Sequence, residues 1–131
     1  MEDSFKTEFI SPEKIIFSDN NSMTTLPAYE GDMSILKDHI PLITFLRPGI
    51  VRVNQNNKNV EEFFVQDGTV EFFKNILVIL SASAVNLKEL SKDFVNNLNN
   101  ETKEKLSKEN ITDHDRYILN HKINVLKDIG V

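Results

Sequence analysis

Short apolar runs broken by turn-forming residues fill the first two thirds of the chain, and helical spacing takes over in the last third. Phe5, Thr7 and Phe9 alternate with Lys6 and Glu8, the period of a half-buried strand. Lys14 to Ser18 and Ser22 to Leu26 flank the turn-prone triplet Asp19-Asn20-Asn21. Ile43 to Leu46 and Ile50 to Val53 flank Arg47-Pro48-Gly49, with proline and glycine where a tight turn wants them. The polar run Asn54 to Asn59, ahead of Val60 to Val65, predicts a hairpin with a longer loop. Asp67-Gly68, between Phe63-Phe64-Val65 and Thr69 to Phe73, predicts a two-residue hairpin. Ile76 to Leu80 is a continuous apolar run of buried-strand length. Many short strands at close spacing predict an all-β sandwich (a flattened barrel) over residues 1–85. Its expected core is Phe9, Ile16, Leu26, Ile43, Leu46, Val51, Val65 and Ile79.

Past Ala84 there is neither glycine nor proline until Gly130, and residues 86–131 read as an α-helical hairpin. Asn86 precedes Leu87-Lys88-Glu89 as an N-cap followed by an acid three positions on. Leu87, Leu90, Phe94 and Leu98 make one apolar stripe. The asparagines at 96, 97, 99 and 100 weaken this helix, because their side chains compete for backbone hydrogen bonds. Asn110-Ile111-Thr112 is the break, with Thr112 as the next N-cap. Leu119, Ile123 and Leu126 form the second stripe.

Composition narrows the function. The chain has 131 residues, a net charge of −5 and no cysteine. An acidic chain without a basic block is a poor partner for a phosphate backbone, so no nucleic acid is expected. Disulfides, thiolate metal sites and a cysteine nucleophile are excluded. No stretch approaches 18 consecutive apolar residues. Met1 to Thr7 lacks the basic start and apolar run of a signal peptide.

Candidate chemistry is sparse. His114 and His121 stand seven apart, about 10.5 Å along a helix, too far for one zinc ion. Both read as solvated helix residues. Composition leaves a Ser/His/Asp triad open, but there is no Gly-x-Ser-x-Gly elbow. Gly31, Gly49 and Gly68 stand alone, so no glycine-rich phosphate loop exists. Glu61 and Glu62 point to opposite faces of a strand. The residues therefore offer no catalytic site, no metal site and no cofactor. They describe a β-sandwich with a helical hairpin, and leave a free-standing ligand-binding module and a small hydrolase as rivals.

Residues 26–49 go further. Glu30-Gly31-Asp32, then His39-Ile40-Pro41-Leu42-Ile43-Thr44, then Leu46-Arg47-Pro48-Gly49, resemble the epsilon subunits of bacterial F-type ATP synthases in order and spacing. Ser11-Pro12-Glu13 with Ile16-Phe17-Ser18 resembles that family's opening strands, and Ile76 to Ala82 its last sandwich strand. The resemblance implies a non-catalytic rotor subunit of the central stalk, joining the gamma subunit to the c-ring. It would couple proton translocation to ATP synthesis from the cytoplasmic face of the bacterial inner membrane, held there only through the complex. It assigns Glu30, Gly31 and Asp32 to the c-ring, and His39, Pro41, Leu42 and Thr44 to gamma. It also implies a regulatory hairpin that reaches the alpha and beta subunits and blocks ATP hydrolysis. Two departures stand out. Lys37-Asp38 replace a common Pro-Gly before the histidine. Leu90 to Phe94 lacks the Asp and Arg of the ATP-binding motif found in some members, so no ATP binding is expected.

Overall fold

The computed structural model describes residues 3–56 and 59–129. Met1 and Glu2, in the segment read for a leader, Asn57 and Lys58, in the polar run after Asn54, and Gly130 and Val131, at the end of the hairpin, lie outside the described residues.

Ten strands build the first part: β1 (Phe5–Ile10), β2 (Ile15–Asn21), β3 (Met23–Ala28), β4 (Gly31–Leu36), β5 (Leu42–Leu46), β6 (Gly49–Asn54), β7 (Val60–Val65), β8 (Gly68–Phe73), β9 (Ile76–Leu80) and β10 (Val85–Asn86). They hydrogen-bond in the order β10-β7-β6-β3-β5-β8-β9-β1-β2, with β4 on the free side of β3. The sheet folds over on itself where β3 passes from β6 to β5, a junction made by one residue pair, Ala28 with Leu46. Phe5, Phe9, Leu26, Ile35, Leu46, Val51, Val53, Phe63, Val65, Val70, Phe72, Leu77 and Ile79 fill the space between the two halves. Phe9 meets Phe63 across that space, ring centroids 5.0 Å apart. This is the flattened β-barrel expected from the strand spacing, followed by two helices.

Two of the three turn expectations fail, each for a local reason. Asp19-Asn20-Asn21 is the end of β2 rather than a turn. Asn21 is fully buried. Its amide donates to Phe5 O (3.2 Å) and Thr7 Oγ1 (2.6 Å), and its oxygen accepts from Thr24 Oγ1 (2.8 Å). A buried asparagine satisfied this fully belongs to a strand pair as readily as to a turn. Arg47-Pro48-Gly49 turns the chain as expected, between β5, which joins β8, and β6, which joins β7. Gly49 lies against the Pro27 ring, where no Cβ would fit. Asp67-Gly68, expected as a hairpin, is a crossover between halves: β7 joins β6, and β8 joins β5. Its polar groups bond sideways, Gln66 N to Ser83 Oγ (2.9 Å) and Ser81 Oγ to Asp67 O (2.8 Å). Gly68, at φ +152°, sits so close to Leu80 that an added Cβ would lie 2.6 Å from its carbonyl oxygen.

The helical part starts later than expected. Asn86 caps only a 3-10 turn at Leu87–Glu89, and α1 (Lys92–Leu106) begins after Ser91, whose Oγ accepts from Phe94 N at 3.0 Å. The buried stripe shifts with it: Val95 is buried, while Phe94 faces solvent. The break and second helix come as expected. Thr112 Oγ1 accepts from Asp115 N (3.0 Å) at the start of α2 (Asp113–Ile129), and Leu119 and Leu126 are buried. The hairpin is folded against the barrel: Val95 and Leu126, with Leu87, Leu90, Leu98, Val125 and Ile129, cover Phe64 and Ile50 on the outer face of β6 and β7.

Candidate functional site

Two surfaces stand out, and both follow from strand alternation. The first is the outer face of β5, β8 and β9. On β5, Leu42 and Thr44 point into the barrel, so Ile43 and Phe45 point out. Ile43 is 77% exposed and Phe45 58% exposed, although Ile43 was expected in the core. The register sets them in rows with their neighbours. Phe45, Thr69 and Leu80 lie side by side and continue to Ile10; Ile43, Glu71 and Val78 form the next row and continue to Glu8; Phe73 and Ile76 form the third and continue to Lys6. Five large apolar side chains (Ile43, Phe45, Phe73, Ile76, Leu80) are therefore presented to solvent around the carboxylate of Glu71. Contiguous exposed apolar area of this kind marks a contact surface.

The second is the β3–β4 turn. Tyr29 and Glu30 are its two tip residues, and Gly31 and Asp32 open β4, a strand the sequence reading missed. Only Ile35 of β4 is fully buried, so the strand carries a weak apolar signature. The Glu30 carboxylate is held by Thr44, whose Oγ1 reaches Oε1 at 2.8 Å and Oε2 at 3.1 Å. Asp32 pairs with Arg47 at 3.2 Å and keeps its side chain 74% exposed.

The remaining sequence candidates lie at the start of β5. His39 follows Asp38, which takes a left-handed φ of +67°. Asn75 supports that turn from the β8–β9 connection, accepting from Asp38 N (2.7 Å) and donating to its carboxylate (2.9 Å). An aspartate thus does at position 38 what a glycine would do more freely. His39 meets Phe72 edge-on, ring centroids 5.9 Å apart. Pro41 is exposed, Leu42 packs against the core, and Thr44 is buried.

Sequence reasoning missed a third cluster, which joins α2 to the turn. Tyr29 stacks nearly parallel on His114 (5.7 Å) and on Tyr117 (6.1 Å), and its hydroxyl meets His114 Nε2 at 2.9 Å. Tyr117 Oη donates to Tyr29 O (3.2 Å) and accepts from Arg47 Nη1 (3.3 Å). His121 closes edge-on over Tyr117 at 4.5 Å. His114, Tyr117 and His121 at i, i+3 and i+7 share one helix face, and the aromatic stripe itself was the available signal. Burial of Tyr29, then the nearby Tyr117 and Asp115, push its phenol up. Burial, then Arg47, push the His121 imidazole below its usual range, against an opposing pull from Asp32.

The sign of that last shift gives a prediction. A docked His121 takes a proton less readily than a free one, so docking of α2 weakens as pH falls through about 6.5. In a proton NMR titration, the His121 midpoint should lie below that of a free histidine and move up in Arg47→Ala. A midpoint at the free value in both proteins would contradict it.

A cleft of about 1030 Å³ opens between the end of the barrel and the hairpin, with Phe45, Leu80, Ile111 and Ile118 among its walls. Lys105, Lys108 and Lys122 also line it. Lys122 is only 8% exposed, and burial, then Lys105, push its ammonium down. Among the described residues, no group of three or more His, Asp and Glu side chains could hold a metal ion.

Comparison with known proteins decides the family. Residues 4–87 match the family model described as ATP synthase, Delta/Epsilon chain, beta-sandwich domain. The chain belongs to the ATP synthase epsilon chain family. The epsilon chain of Pelagibacter ubique (strain HTCC1062) is 38% identical over 131 residues, 99% of this chain and 100% of that one. The epsilon chain of Allorhizobium ampelinum is 34% identical over 93 residues, 71% of this chain and 69% of that one. The resemblance read from residues 26–49 is thus correct at the level of the family. The fold is also shared with a chain of the Euglena gracilis mitochondrial ATP synthase (OSCP/F1/c-ring), with a TM-score of 0.74, 16% identity and coverage of 97% and 79%. A chain of the Tetrahymena thermophila central stalk/c-ring structure gives a TM-score of 0.64 at 18% identity, covering 96% of each chain. Among the described residues, no helix is long and apolar enough to cross a membrane.

Proposed function

We propose that this chain is a non-catalytic rotor subunit that joins the gamma subunit to the c-ring of a bacterial F-type ATP synthase and helps deliver ring rotation as torque. The observation that carries this reading is the exposed apolar face of β5, β8 and β9. A torque-bearing joint needs a broad, stiff contact and no chemistry. Gamma covers that face, Glu71 included. His39 and Pro41 sit at its rim, and Leu42 and Thr44 support it from inside. Glu30, Gly31 and Asp32 meet the polar loops of the ring. The subunit is peripheral, on the cytoplasmic face of the inner membrane, bound only through the complex. The hairpin, when released, reaches the alpha and beta subunits and restrains ATP hydrolysis.

Pull-down from membranes should bring gamma and the c-ring with the subunit. Charge reversal in Glu30→Lys/Asp32→Lys should uncouple proton pumping from hydrolysis in part, since rim charges contribute about 1 kcal/mol or less each. Wild-type pumping in that double mutant would remove the turn from the ring contact.

The lysine-lined cleft favours a second reading, a ligand-binding module that takes an anion. Its walls lack the arginines that clamp phosphates in pairs, and α1 begins with Lys92 and Asp93 side by side. Titration calorimetry with Mg-ATP should therefore give no saturable heat. A dissociation constant below about 1 mM, roughly −4 kcal/mol, would favour the ligand-binding reading.

A further inference from the structure

The contacts that dock α2 and the residues of the β3–β4 turn form one continuous line. Asp32 binds Arg47, Arg47 donates to Tyr117, and Tyr117 donates to the backbone of Tyr29. Tyr29 and Asp32 flank Glu30 at the tip of the barrel, so both ends of the line lie in the turn. The two charges differ in access. The Asp32 side chain is 74% exposed, whereas that of Arg47 is 18% exposed. A cationic surface that approaches the turn meets Asp32 first and draws it away from Arg47. The guanidinium then stays in the crevice beside His121 without its carboxylate. Among the described residues, Asp32 is the ion-pair partner of Arg47; Arg52 and Glu62, in the same crevice, are committed to each other at 2.7 Å, and Asp128 lines it from α2 without an ion pair to Arg47. An uncompensated charge in a part-buried crevice weakens the docking that keeps it there.

We propose that the β3–β4 turn is a latch in which docking of the helical hairpin and engagement of the turn by a cation-bearing polar surface oppose each other through Asp32, Arg47 and Tyr117. This rests on the rotor reading for the identity of that surface, the c-ring. Binding free energies couple reciprocally, so a loosened hairpin must also favour ring contact by the same factor.

The test uses the full chain and two substitutions, Asp32→Asn and Tyr117→Phe. Amide hydrogen exchange of α2 should rise about fivefold to tenfold in each, the loss expected for one or two hydrogen bonds. Exchange in β1 and β9 should not change, which separates release from misfolding. The double variant should exchange no faster than the faster single variant, because one line is broken twice; effects that multiply would mean independent contacts and overturn the latch. Binding to synthase preparations depleted of this subunit, with and without the ring, supplies the second half. The gain in affinity that the ring confers should be larger for Tyr117→Phe than for wild type by the factor seen in exchange, a comparison in which any contact of the released hairpin with the alpha and beta subunits cancels. An equal gain from the ring in both proteins would overturn the latch and leave the rotor reading standing. If neither protein gains affinity from the ring, the rotor reading falls, and the latch's partner with it.

Discussion

Ile43→Glu/Phe45→Glu is expected to abolish recovery of gamma while leaving the subunit folded. Both side chains point away from the core, Ile43 being 77% exposed and Phe45 58% exposed, so the free chain loses only the smaller, covered part of each. Surface changes of this kind usually stay within about 0.5 kcal/mol of wild-type stability. In the complex the arithmetic reverses. Each buried large apolar side chain contributes about 1.5–3 kcal/mol, and each unpaired carboxylate forced into a dry contact costs more. Glu71 already sits directly beside Ile43 in the register, so the first new carboxylate also meets a like charge. A loss of at least about 100-fold in affinity, roughly 2.7 kcal/mol, follows. Circular dichroism should match wild type, and pull-down from membranes should no longer bring gamma. Undiminished recovery of gamma would move the interface off this face.

The same two residues show what the sequence could and could not carry. The run Leu42 to Leu46 is apolar at four of five positions, so alternation gives two faces but not which one is inside. The deciding contact is long-range: Thr44 can face inward because Glu30 accepts its hydroxyl. The aspartate-glycine pair at 67 and 68 failed for a related reason. A two-residue hairpin and a crossover between halves both use a glycine at position 68, and what separates them lies far along the chain: the pairing of β7 with β6 and of β8 with β5, with Ser81 and Ser83 bonded to the crossover. The second helix was legible because its signals are local, a threonine cap and a stripe at helical spacing. The start of α1 was not, since Asn86 and Ser91 compete as caps and tertiary contact with Phe64 favours Val95 over Phe94. The family was legible from residues 26–49 because three short motifs fall in order at fixed spacing. The stacking of Tyr29 on α2 was not, because it joins residues 85 and 88 positions apart in sequence.

Phe64→Ala should separate the two parts of the molecule. Phe63, Phe64 and Val65 are all buried, which a strand with one wet face does not allow. Phe63 and Val65 belong to the barrel core; Phe64 points the other way, beneath Val95 and Leu126. Removing its ring leaves a hole under the hairpin and costs about 3–5 kcal/mol. That loss falls on the hairpin, because the barrel core keeps every one of its own residues. Helices of 15 and 17 residues are marginal in water once they lose their packing. Thermal unfolding followed at 222 nm should therefore change from one transition to two, an early loss of helical signal and a later barrel transition near the wild-type midpoint. A chain ending at Val85 should then fold and show that second transition alone. If Phe64→Ala instead melts in a single step at a much lower temperature, or the shortened chain yields only unfolded protein, residues 1–85 and 86–131 form one cooperative unit and not two.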